Sequence, residues 1–91
     1  MATIYDDMGN VLAQGRGTIG ELLEYLPRSI SLCDAVLTHA DLRGCDLSEL
    51  DLDAADLRDA DLRGACLRHT RLVGADLRGA MIDSGIDEAI R

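Results

Sequence analysis

A leucine or isoleucine stands at every fifth position from residue 32 to residue 82, eleven times in succession (32, 37, 42, 47, 52, 57, 62, 67, 72, 77, 82). Two residues before most of them is a small side chain: Ala35, Ala40, Cys45, Ala55, Ala60, Ala65, Thr70, Ala75 and Ala80. The residue between is often aspartate, so Ala40-Asp41-Leu42-Arg43-Gly44 returns at residues 60–64 and 75–79. With the leucine as the centre, the small residue is at minus two and the aspartate at minus one. A helix needs apolar residues spaced by three and four, and a half-buried strand alternates by two. A beat of five satisfies neither. It fits a chain that turns a corner at every repeat, keeping the centre and minus-two residues inside and the other three in water. Such a fixed short period is the mark of a solenoid.

The pattern of a small residue, Asp, Leu and two variable positions resembles the pentapeptide-repeat family over about residues 30–84. The resemblance implies an all-β solenoid: a right-handed, four-sided parallel β-helix with four repeats and twenty residues per coil. Two departures stand out. The centre is never Phe, and Leu50 occupies a minus-two site normally given to a small residue. Leu50 is expected to stack between Ile30 and Thr70 and to widen that column.

Thr3-Ile4-Tyr5 and Val11-Leu12-Ala13 flank Asp6-Asp7-Met8-Gly9-Asn10 and read as a hairpin with a Gly/Asn turn. Thr18 and Glu21 form a capping box for a helix through about Leu26, which Pro27 stops. Ile19, Leu22, Leu23 and Leu26 make its apolar stripe. A solenoid exposes leucines and an open edge at its terminal coil, so residues 1–29 are expected to cap it, with the repeats at 30–84 and a C-terminal cap or dimerisation segment at 85–91. A short helix capped by Ser84 would line up Ile82, Ile86 and Ile90. Seven residues do not hold a helix alone. The resemblance implies end-to-end dimers in such proteins, and Met81, Ile82, Ile86 and Ile90 are the expected dimerisation residues.

No stretch is long and apolar enough to cross a bilayer, and the start lacks a basic-plus-apolar leader. The chain therefore reads as a soluble, cytoplasmic protein, with which its odd number of cysteines agrees. By repeat phase Cys45 points inward while Cys33 and Cys66 point out, so a Cys45–Cys66 disulfide is not expected. His39 and His69 fall on opposite sides of a coil. No metal site and no cofactor follow from these residues.

Catalysis finds no support in the sequence: no nucleophile–histidine spacing, no phosphate loop and no ligand cluster. A core of Leu and Ala leaves no pocket in which acidities could be tuned. Charge remains. The 91 residues carry a net −8 with no lysine. Aspartate at minus one has a local explanation, because a short carboxylate can accept backbone hydrogen bonds at the corner. Where the repeat reads Asp-Leu-Arg its charge is also cancelled. Residues 45–55 escape that cancellation: Asp46, Glu49, Asp51 and Asp53 occur without arginine, and Asp56 and Asp59 follow around Arg58 alone. One coil further on, Arg71 is expected beside Asp51, while Cys66, His69 and Val73 stand beside Asp46, Glu49 and Asp53. These six carboxylates are the candidate partner-binding residues, a net acidic patch on two adjoining sides. The resemblance extends to acidic rods that mimic duplex DNA and occupy topoisomerase grooves. The expected function is that of a DNA-mimic inhibitor, of the kind phages use as anti-CRISPR or anti-restriction factors. Its partner would be a protein that normally binds nucleic acid, and not nucleic acid itself. The alternatives are a topoisomerase-interacting protein and a neutral protein–protein scaffold.

Overall fold

A five-residue beat leaves few choices for the backbone, and the hydrogen bonds show which is taken. In the computed structural model, which describes residues 1–83, each repeat closes with a turn. The next minus-two N–H donates to the carbonyl of the centre, as from Ala35 to Leu32 (3.1 Å), Ala55 to Leu52 (3.1 Å) and Ala80 to Leu77 (3.0 Å). The plus-two residue inside each turn has positive φ, from 58° at His69 to 75° at Gly64, Gly74 and Gly79. This is the third position of the turn, which type II turns reserve for glycine. Asp34, His39, Glu49, Ala54, Asp59 and His69 nevertheless occupy it, at a cost of about 1 kcal/mol each.

Four such turns bring the chain back above itself. Parallel bridges join residues twenty apart: Ser31 with Asp51, Val36 with Asp56, Asp41 with Asp61, Asp46 with Cys66, Asp51 with Arg71, Asp56 with Asp76 and Asp61 with Met81. All but the first have a hydrogen bond on either side, for example Asp56 N to Ala35 O and Leu37 N to Asp56 O, both 2.8 Å. The contacts are single bridges, not long strands, because a turn interrupts the extended backbone in every repeat. The result is a β-helix type of solenoid, with its buried polar main chain satisfied from coil to coil.

The interior is a stack of leucines. Leu32, Leu42, Leu47, Leu52, Leu57 and Leu62 are fully buried, with Ala35, Ala55 and Ala60 filling the minus-two slots. Each enclosed leucine contributes roughly 1.5–3 kcal/mol. Leu50 is accommodated fully buried. Thr70, one coil on, is also buried and its hydroxyl donates to the Leu47 carbonyl at 2.8 Å. Cys45 is buried, Cys66 exposed and Cys33 half-buried, and all three are free thiols.

Residues before the repeats pack against the first coil. Strands β1 (Ala2–Tyr5) and β2 (Val11–Gly15) pair antiparallel, with a bulge after Ile4. The Asp6 carboxylate builds their turn by accepting the N–H groups of Met8 (2.9 Å) and Asn10 (2.8 Å). Asp6 then meets Ala35 in an antiparallel bridge, and Tyr5 O accepts the Val36 N–H at 2.8 Å. Helix α1 (Ile19–Tyr25) has both halves of its capping box: Thr18 Oγ1 accepts from Glu21 N, and Glu21 accepts from Thr18 N, each at 3.1 Å. Leu22 and Leu23 face inward. Gly20 lets the helix approach closely, since a Cβ there would lie 2.6 Å from the Cys45 sulfur and 3.3 Å from the Asp41 carbonyl. At the other end Met81 is exposed and Ile82 half-buried. The expected helix from Ser84, with Ile86 and Ile90, lies outside the described residues.

Candidate functional site: a band of carboxylates

Most aspartates on the solenoid first serve their own backbone. A minus-one carboxylate accepts the N–H two residues on, at 3.3 Å from Arg43 to Asp41, 3.0 Å from Ser48 to Asp46, 3.2 Å from Arg63 to Asp61 and 3.1 Å from Arg78 to Asp76. Where the plus-one residue is Arg, its guanidinium folds back onto the same carboxylate. Arg43 reaches Asp41 at 2.9 and 3.0 Å, Arg58 reaches Asp56 at 2.9 and 2.8 Å, and Arg63 reaches Asp61 at 2.9 and 2.6 Å. Arg78 does the same to Asp76. These bonds hold the Asp41 and Asp76 carboxyls down to about 2, and keep Asp56 and Asp61 below the usual carboxylate range.

The stretch from 46 to 59 is different, and the structure corrects the expectation there. Asp53 was expected to face only Val73. Instead the Arg71 guanidinium crosses diagonally to Asp53, at 3.0 Å from Nε and 2.6 Å from a terminal nitrogen, and stands only 3.9 Å from Asp51. The reason lies in the turn chemistry. Arg71 occupies a minus-one site and cannot accept, so the Val73 N–H takes its acceptor from Asp53 of the preceding coil at 2.9 Å. That carboxylate is thereby lowered, first by Arg71.

Asp46 also has an unexpected neighbour. Arg28 lies 3.8 Å from its carboxylate and donates to its backbone carbonyl at 2.8 Å. The other terminal nitrogen of Arg28 donates to Leu23 O at 2.8 Å, tying the end of α1 to the first coil. Asp46 is held below its ordinary value chiefly by the Ser48 hydroxyl at 2.6 Å. Asp51 accepts from Ser31 Oγ at 3.3 Å and lies 3.5 Å from the Cys33 thiol. Asp59 faces His39 at 3.7 Å. Glu49 is exposed at its turn; its N–H donates to Arg68 O at 3.0 Å, and its carboxylate has no hydrogen-bond or ion-pair partner among the described residues.

The six candidates therefore do not form one patch on two sides. Turns at Glu49, Ala54 and Asp59 spread them over three successive stretches of the coil, and arginine claims Asp53 and Asp56. What stays together is Asp46, Glu49 and Asp51 around one corner, with Asp59 apart. Arg28 was legible in principle: counting the beat one repeat upstream gives it a plus-one position, one coil before Ser48. Among the described residues no group of three or more His, Cys, Asp or Glu is placed to hold a metal ion, and no helix is long and apolar enough to cross a membrane.

A family model described as "Pentapeptide repeats (8 copies)" matches residues 30–68 and 55–83. The chain belongs to the pentapeptide-repeat family. No curated protein and no solved structure matches it. For a pentapeptide-repeat protein the family supports a role as a protein–protein interaction scaffold, built on the outward residues of a β-helix solenoid.

Proposed function

We propose that this pentapeptide-repeat protein works by binding, not catalysis: a right-handed, four-sided β-helix whose acidic exterior occupies the DNA-binding surface of another protein and inhibits it. The observation that carries the reading is a surplus of carboxylates. Residues 30–83 hold eleven Asp and Glu against six Arg. Five of those arginines (Arg43, Arg58, Arg63, Arg71 and Arg78) are already bonded to aspartates. Of the other carboxylates in the band, Glu49 and Asp59 have no arginine partner among the described residues, while Arg28 stands 3.8 Å from Asp46 and Arg71 3.9 Å from Asp51. Duplex DNA presents one charge per ~1.7 Å of axis. Coils about 4.8 Å apart give a repeat body on the order of 13 Å tall, the height of about four base pairs. So short a mimic suits a compact groove better than a topoisomerase, and we take the target to be a nucleic-acid-handling defence complex, CRISPR or restriction. In this reading the protein acts in the cytoplasm and residues 1–29 cap the first coil.

The test is capture from a bacterial lysate on the immobilised protein. Retained proteins should be nucleic-acid binders, released by duplex DNA and by raising salt from roughly 0.05 to 0.5 M. Asp46→Asn, Glu49→Gln and Asp59→Asn together should abolish capture while the circular dichroism spectrum stays unchanged, because an asparagine oxygen still accepts the Ser48 N–H. Capture that ignores both salt and DNA would overturn mimicry. It would favour a neutral scaffold, a reading supported by the self-cancelling Asp-Leu-Arg repeats.

A further inference from the structure

The two band carboxylates that arginine leaves unpaired, Glu49 and Asp59, each have a histidine at their own station in the adjoining coil. Asp59 follows His39 by twenty residues, and His69 follows Glu49 by twenty; the chain has no other histidine. All four residues occupy the positive-φ corner of their turns, at 58–63°, and all four are exposed. The backbone holds the pairs in register: His39 N donates to Arg58 O and Glu49 N to Arg68 O, each at 3.0 Å. With coils about 4.8 Å apart, the members of a pair separate only if the coil-to-coil ladder opens.

In the first pair His39 Nε2 lies 3.7 Å from the Asp59 carboxylate. The same carboxylate rests over the α-carbon of Gly79 in the next coil, where a Cβ would collide with it. Backbone therefore bounds it on one side and imidazole on the other. Arg58, its chain neighbour, is engaged with Asp56 at 2.8 Å. On the hairpin side Asp6 meets Ala35, and its carboxylate is taken up by its own turn. In the second pair Glu49 is the carboxylate one coil back from His69, and Arg68 is the cation beside His69 in the chain. Histidine is the side chain that gains a charge between about pH 8 and 5. Arginine keeps its charge throughout that range.

We propose that His39 and His69 make the acidic band sensitive to pH: protonated, they cancel Asp59 and Glu49, and the band releases the basic protein surface that it holds at neutral pH. This regulation rests on the band's reading as a mimic of DNA. Its sign follows from the charges. At about pH 7.5 the two carboxylates face neutral imidazoles and present two negative charges to a partner. At about pH 5.5 each faces an imidazolium, and each pair sums to zero. Attraction for a cationic surface therefore weakens as pH falls.

The test titrates a capped, rhodamine-labelled peptide of eight lysines with the full chain, read by fluorescence anisotropy at low salt and at about pH 7.5 and 5.5. Affinity should fall about tenfold at the lower pH. His39→Asn with His69→Asn should match the parent at the higher pH and lose the fall, asparagine being a replacement that tolerates positive φ. Glu49→Gln with Asp59→Asn should bring the affinity at the higher pH down to the parent's value at the lower, which places the peptide on the band. Circular dichroism at both pH values checks that each variant is folded. Equal parent affinity at the two pH values, a fall that survives without the histidines, an affinity unmoved by loss of the two carboxylates, or no binding at the higher pH would each overturn the proposal. Its failure is separable from that of the mimic. Lysate capture indifferent to salt and DNA would remove the mimic and leave the peptide's release intact, whereas pH-indifferent peptide binding would remove the switch alone.

Discussion

The Asp-Leu-Arg stretches at 41–43, 61–63 and 76–78 and the stretch from 46 to 53 share one fold and one dominant polar residue, yet their electrostatics are built differently. In the first, the arginine lies two residues from its aspartate and closes on it, so each repeat is neutral by itself. In the second, the guanidiniums come from eighteen residues away, Arg28 to Asp46 and Arg71 to Asp53. Local pairs decorate a coil. Distant ones join coil to coil or helix to coil, and they leave Glu49 uncompensated between them.

The contrast can be tested by substitutions of decreasing effect. The leucine column underlies both stretches, so Leu52→Ala should be most damaging, costing about 2–5 kcal/mol in urea unfolding, whichever surface lies above it. Arg28→Ala should come next, at about 1.5–3 kcal/mol, because it strips charged donors from the carbonyls of Leu23 and Asp46. Arg43→Ala should leave the melting temperature almost unmoved, since exposed pairs contribute little. If the two arginine variants melt alike, the distinction between local and distant pairs fails. Ala54→Gly should add up to about 1 kcal/mol, by relieving a φ of 60°. The smallest effect is expected with pH. Asp41 and Asp76 have folded values of about 2, below the unfolded value near 3.9. Their contribution is thus fully present above about pH 4 and is lost as pH falls through about 2. Melting temperatures should therefore change little through these groups from pH 7 to 4 and decline toward pH 2.

Membership of the family and the coil-to-coil register were legible because one residue, the centre leucine, recurs at a period that neither helix nor strand can use. The capping box at Thr18 and Glu21 was legible for the same reason: its signal is local. The pairing of Asp53 was not. Stacking by twenty puts Arg71 under Asp51, and only the need of the Val73 N–H for an acceptor diverts Asp53 into the pair. Arg28 was hidden because it precedes the first leucine of the series, with Pro27 at the station a leucine would hold. Long guanidiniums reach across columns that short carboxylates define, and sequence spacing fixes only the columns.

The twenty-residue register limits how such a chain can change its length. A single inserted residue in the repeats would rotate every later leucine out of the interior, and five would displace each later outward side chain by one corner. Growth by whole coils alone keeps both inside and outside aligned. The protein's size is therefore quantised, and its surface pattern can be copied upward without being redesigned.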